Sequence, residues 1–316
     1  PAWGVAPWQG AMFAVRAASS VYWLNGATPR SSQEYAPGAA PIIQTVGALY
    51  DNGPVFVQRA FVHPQDDLLV IRIELRGVTT PPHFYWFQNF NPCTRRIPEW
   101  PVADWLLDEL NDFAAFSTPD NATLYHFRPA GPGAQDWQKA EDFAAQYATP
   151  AAWETFEKGV WIGAASPNRV TGAQCGLDGA PNAPWAAIET GALRGPRAAV
   201  GQCQSAFELE PVPVPESPGA YAATVYVAFG ETRAGVDDLL GRARQPGEAA
   251  LVAETQSYWR EWFRKTGLTA ESERMETLRV PLLTLAVSTD RTTGAVVRAA
   301  VTQPPLAVTS AQQAAL

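Results

Sequence analysis

The chain is short of the residues that metal and redox chemistry need. Its 316 residues include three histidines (His63, His83 and His126) and three cysteines (Cys93, Cys175 and Cys203), none at metal-ligand spacing. No metal and no cofactor is therefore expected. A glycine-rich phosphate loop, His-Glu-x-x-His, Gly-x-Ser-x-Gly and zinc-spaced cysteine pairs are all missing, which sets aside the enzyme classes that depend on them. No stretch approaches the ~18 consecutive apolar residues of a membrane-spanning helix. Charged residues make up only 17% of the chain, and the net charge of −8 argues against nucleic acid or an anionic membrane as the main partner.

Aromatic and turn-forming residues are plentiful instead. Twelve tryptophans, 28 prolines and 24 glycines, with 47% hydrophobic residues, favour many short strands and turns over a helical bundle. The length suits roughly two domains with ample core. Cys175 and Cys203, both in a Gly/Pro-rich segment, are candidates for one disulfide; the alternative of three reduced, buried thiols stays open. The sequence starts at Pro1 rather than methionine, which a cleaved signal peptide or a trimmed chain would equally explain.

Along the chain, residues 1–30 alternate as early strands would, and residues 31–41 have turn chemistry and little period, which predicts a loop. The clearest strand signal lies between Pro54 and Gly77: two alternating runs separated by Pro64, Asp66 and Asp67 predict an antiparallel hairpin. The aromatic run from His83 to Phe90 is read either as a sugar-stacking platform or, more plainly, as a strand filling both of its faces. Helical spacing of Trp105, Leu106, Leu110 and Phe113 predicts a helical excursion over 99–117, and Trp137, Phe143 and Tyr147 mark another over 135–158. The acids Asp104, Asp108, Glu109 and Asp112 are read as a solvated helix face rather than an acid/base pair. Strands resume over 159–230, where Pro211 to Pro215 cannot form a central strand. Val236 to Leu240 begins a short helix.

From Gly247 to Gly267 the residues Leu251, Thr255, Tyr258, Trp259, Trp262 and Phe263 recur at helical spacing, giving an aromatic face that must be buried against something large. This stretch, with Tyr258-Trp259-Arg260-Glu261-Trp262, Leu282-Leu283-Thr284-Leu285 and Thr293-Gly294-Ala295-Val296-Val297 in order, resembles the glucoamylase-type, inverting glycoside hydrolases. The resemblance implies a mainly β fold: an antiparallel, galactose-mutarotase-like β-supersandwich with helical insertions over 1–246. A helical linker over 247–268 and the first helix and loop of an (α/α) six-hairpin toroid over 269–316 would follow. Tyr258, Trp259, Trp262 and Phe263 would then pack between domains, and Gln303, Pro304 and Pro305 would lie next to the substrate. Two departures stand out: Val280-Pro281 where the family carries Arg-Ser, and Ala307-Val308-Thr309-Ser310 where it continues into a sugar-gripping loop.

In such enzymes both catalytic carboxylates lie far along the toroid, so no catalytic residue is expected in this sequence. The resemblance implies a non-catalytic portion acting with a C-terminal (α/α) toroid, on another chain or removed, on α-glucosidic bonds of a carbohydrate substrate. Residues 269–316 would leave Met275, Leu278, Leu282 and Leu285 needing cover from that partner. The alternatives are a carbohydrate-binding β-sandwich without catalysis and a purely structural interaction domain. A secreted or periplasmic location is expected, with the cytoplasm left open.

Overall fold

Successive side chains of a strand point to opposite faces, and in this chain both faces of the central strands are apolar. The computed structural model describes residues 10–24, 31–90, 113–117, 122–129, 159–181, 183–200 and 203–265. In order the strands are β1 (Gly10–Ala17), β2 (Ser20–Trp23), β3 (Ser32–Tyr35), β4 (Ile43–Ala48), β5 (Val55–Val62), β6 (Leu68–Arg76), β7 (His83–Asn89), β8 (Phe113–Phe116), β9 (Thr123–Pro129), β10 (Gly159–Ala165), β11 (Val170–Leu177), β12 (Ala198–Val200), β13 (Cys203–Leu209), β14 (Val212–Pro213) and β15 (Tyr221–Gly230). Helix α1 (Pro184–Thr190) lies between β11 and β12, and α2 (Arg233–Arg244) and α3 (Gly247–Lys265) follow β15.

All described pairings are antiparallel. A five-stranded sheet runs β11-β13-β7-β1-β2, and a larger sheet runs β12-β8-β9-β10-β15-β6-β5-β4-β3, with β14 paired to β15. On β15, Ala223, Val225 and Val227 join Ile71, Ile73 and Leu75 of β6 against Phe84, Trp86 and Phe207 of the small sheet. The residues between them, Tyr226 and Ala228 of β15 with Leu68 and Val70 of β6, face the other way and pack under α2 and α3. Behind the small sheet, Tyr85 and Phe87 pack with Ile188 of α1. The fold is thus a β-sandwich with helices on both outer faces, and the plainer reading of the 83–90 run is the one observed: Phe84 and Trp86 on one face and Tyr85 and Phe87 on the other are fully buried, with Phe90 partly buried at the end.

Helix α2 shows how the outer layer is seated. Thr232 caps it, its side chain accepting from Gly235 N–H at 3.1 Å. Its buried residues Val236, Leu239, Leu240 and Ala243 follow an i, i+3, i+4, i+7 pattern. It can lie this close to β10 because residue 163 is glycine: a Cβ there would come within 2.4 Å of Val236 Cγ1. The chain then turns into α3 through Pro246 and Gly247, whose φ of +76° suits a residue without a side chain.

Several sequence expectations change. Residues 32–35 are the edge strand β3 rather than part of a loop; its first three side chains are exposed, so no apolar period marks it. Phe113 belongs to β8, not to a helix, because Phe113 to Phe116 pairs with β9 on one side and β12 on the other. Residues 99–112, 135–158 and 266–316, and with them the other predicted insertions, the toroid start, Gln303, Pro304 and Pro305, lie outside the described residues. Cys175 and Cys203 are both buried and are not bridged to each other. Cys175 pairs with Ser205 and Cys203 with Leu177, so the two are diagonal neighbours, roughly 7–8 Å apart, where a disulfide needs Cβ atoms about 4 Å apart. Burial drives the Cys175 thiol pKa well upward, away from the reactive thiolate.

One polar tie crosses between the sheets. His126 of β9 is fully buried, with Nε2 2.6 Å from the Ser205 hydroxyl of β13 and Nδ1 3.3 Å from the Phe90 carbonyl. A carbonyl only accepts, so Nδ1 holds the proton and the Ser205 hydroxyl donates to Nε2. Burial lowers the His126 pKa to about 4, outweighing the opposing pull of the Phe90 carbonyl.

Two outcomes are expected. Gly163→Ala should cost about 1–3 kcal/mol in urea unfolding, and adding Val236→Ala should recover part of the loss instead of adding to it. For His126, the folded state stays neutral while the unfolded imidazole protonates, so its contribution is complete above about pH 6.5 and declines by about 3 kcal/mol as pH falls towards 4. The stability difference between pH 7 and pH 4.5 should therefore shrink in His126→Gln, and an unchanged difference would exclude this assignment.

Candidate functional site

Helix α3 starts where expected, at Gly247, and is helical to Lys265, the last described residue; one stripe of it, Leu251, Thr255, Trp259 and Phe263, is buried. The i+4 spacing keeps these four on one line, whereas Tyr258 lies about 100° away from Trp259 and is 37% exposed. Trp262 is partly buried at the edge of the stripe. The four aromatic residues still touch in series, with ring centroids of Tyr258 and Trp259 at 5.5 Å, Trp259 and Trp262 at 5.6 Å, and Trp262 and Phe263 at 5.1 Å. They form a ridge running from the sheet outward.

Polar contacts latch this layer to the sheet. Gln256 Oε1 accepts from Ala39 N–H at 2.9 Å and Ala40 N–H at 3.1 Å, while its Nε2 donates to the Pro37 carbonyl at 3.3 Å. His63, 5% exposed, has Nδ1 3.1 Å from Asp66 and Nε2 3.4 Å from Glu254, and Arg242 of α2 reaches Asp66 at 3.1 Å. The Tyr125 hydroxyl donates to Asp237 of α2; burial, then that carboxylate, push its pKa up to about 12.

At the start of α3 the layer opens into a groove of about 450 Å³. Arg72 of β6 with Thr224 and Tyr226 of β15 line its base, and residues 212–215 and the first turn of α3, including Glu248, form its sides. The Arg72 guanidinium is 3.9 Å from both Glu74 and Glu248, beyond hydrogen-bond range. Tyr226 is fully buried and its hydroxyl has no hydrogen-bond partner among the described residues. Its pKa is pushed up to about 12 by burial and then by Glu248, with Arg244 and Arg72 opposing. Asn168, also at the groove, is held by Thr224 N–H and by the Glu210 and Ala222 carbonyls.

None of these groove residues stood out in the sequence. The alternation through Arg72 and Glu74 was visible, but that polar face reads as solvent-facing until α3 is seen above it. On the outer face of the small sheet His83 Nδ1 lies 2.6 Å from Glu208, a pair on an open surface. Among the described residues, no three His, Cys, Asp or Glu side chains are placed to hold a metal ion, and no helix is long and apolar enough to cross a membrane.

No family profile matches the chain, and no curated protein sequence does. Among solved structures it is similar to a bacterial glucoamylase crystallised with acarbose, with a TM-score of 0.60 and 11% identity, over 91% of this chain and 36% of that one. The chain therefore has a glucoamylase-like, mainly antiparallel β fold and spans about a third of that enzyme's length.

Gln256→Ala leaves two loop N–H groups without their acceptor and should cost about 1–3 kcal/mol. Faster amide exchange at Ala39 and Ala40 should accompany the loss, and unchanged exchange there would rule out the latch.

Proposed function

We propose that the chain is the non-catalytic β-supersandwich portion of a glucoamylase-like glycoside hydrolase acting on α-glucosidic bonds of oligo- or polysaccharides. The observation behind this reading is the superposition of 91% of the chain on 36% of a glucoamylase. On it, residues 1–246 are the sandwich, 247–268 a helical linker and 269–316 the first helix and loop of an (α/α) toroid. The toroid, on this or another polypeptide, supplies the acid that protonates the leaving oxygen and the base that activates water.

In that assembly α3 has two jobs. Trp259 and Phe263 seal the large sheet, while the exposed side of the ridge, Tyr258 with Trp262, meets the toroid and fixes where it sits. Gln303, Pro304 and Pro305 would lie beside the substrate. Export to the periplasm or outside the cell belongs to the same proposal, tested by fractionating the producing cells. A second reading, a carbohydrate-binding sandwich without catalysis, draws its support from the groove at the start of α3.

Residues 1–316 alone should release no glucose from maltose, isomaltose or an aryl α-glucoside, and activity should appear with the toroid restored. Tyr258→Arg should lower that restored activity at least about tenfold, an interface loss of ~1.4 kcal/mol or more, without unfolding the sandwich. Turnover by the isolated chain, abolished by amide replacement of Asp104, Asp108 or Glu109, would place the active site in the sandwich and end this reading.

A further inference from the structure

The inner face of the large sheet extends beyond the small sheet that covers it. Edge strand β2 reaches the turn between β4 and β5, where the rings of Tyr22 and Tyr50 lie 5.8 Å apart, but it pairs with β1 only as far as Trp23. At the other end of β4 and β5 two rows of side chains continue in register: Val62, Leu69 and Val227 form one, Ile43, Ala60 and Ile71 the other. Both rows face the small sheet, since Val227 and Ile71 belong to the core between the sheets. Val227 and Ile71 are buried, yet towards the corner Val62 is 59% and Ile43 39% exposed. Phe229, on the same face as Val227, is 38% exposed. No polar side chain interrupts either row.

What fits such a strip follows from its chemistry and its width. It offers a polar ligand no donor or acceptor, whereas an apolar face laid on it gains by leaving water. The strip crosses β4, β5, β6 and β15, ~14 Å in all, which about ten residues of one α-helix would span. The second half of α3 lies at the same end of the sandwich: Glu254 is 3.4 Å from His63, the residue after Val62, and Gln256 holds Ala39 and Ala40, shortly before Ile43. The exposed ridge of α3 and the strip thus flank one end, on either side of the β5–β6 turn. We propose that the strip is a second docking surface for the (α/α) toroid and receives the apolar stripe of one of its helices across Val62, Ile43 and Phe229. This docking rests on the enzyme role proposed above. It adds a contact made by the sheet itself, and two contacts on opposite sides of a turn fix the tilt of the toroid as well as its position.

The test reads cover directly, by the rate of thiol alkylation at Val62→Cys and Ile43→Cys in a Cys93→Ser background, in the 316-residue chain and with the toroid restored. Restoring the toroid should slow both rates at least about tenfold. Val212→Cys, 50% exposed on β14 at the opposite end, should react equally fast in both forms. Val62→Lys should lower the restored activity at least about tenfold with the unfolding midpoint of the 316-residue chain unchanged, and Val212→Lys should not. Equal alkylation rates at Val62→Cys with and without the toroid, in a protein that releases glucose, would overturn the docking alone. Protection of Val62→Cys without glucose release would end the enzyme role and leave the docking standing. Slow alkylation already in the 316-residue chain would make that chain, or a second copy of it if the rate falls with protein concentration, the occupant and overturn the proposal.

Discussion

The large sheet has two apolar faces, and both must be taken out of water. The small sheet covers one; helices α2 and α3 cover the other, which explains why the chain leaves β15 directly into them. Large aromatic rings do much of the covering: Trp161 stacks on Phe127 at 3.9 Å, and Trp259 and Phe263 close the layer from above. The choice has a cost. Trp161 Nε1, Trp259 Nε1, Thr255 Oγ1 and the Tyr226 hydroxyl are all buried without hydrogen-bond partners among the described residues. Each is worth about 1–3 kcal/mol of lost solvation, against ~2–3 kcal/mol gained by burying a large ring. The Gln256, Arg242 and Tyr125 contacts supply directional ties that fix the layer's position on the sheet.

What could be read in advance was local. The 54–77 hairpin, the long strand ending at Gly230 and the helix from Gly247 each have a period that one element imposes on its own residues. Neighbour relations are non-local and leave no such mark. Nothing around Phe113 distinguishes a strand from a helical turn until its pairing with Phe127 is known. Cys175 and Cys203 lie close enough to invite a bridge, yet their register on adjacent strands sets them one diagonal step apart. Tyr258 belongs to the same amphipathic pattern as Trp259, and only the direction of the sheet decides which of them is covered.

The groove was illegible for the same reason. Arg72 and Glu248 are 176 positions apart and look like ordinary surface charges until β6 passes beneath the start of α3. Its polar groups come from β6, β15 and α3, while the residues forming its arm come from the Pro-rich break in the strand pattern. A stretch unfit for a central strand thus stands beside the sheet and gives the groove a side.

The position of β15 also has a consequence in time. It is the last strand of the sequence among those described, yet it sits between β10 and β6 in the middle of the large sheet. Without it the sheet falls into two halves, β12-β8-β9-β10 and β6-β5-β4-β3, each with an open edge where β15 would pair. During synthesis the nascent chain therefore holds two unjoined half-sheets until Tyr221 to Gly230 has left the ribosome. Over that interval each open edge is a template for pairing with other chains.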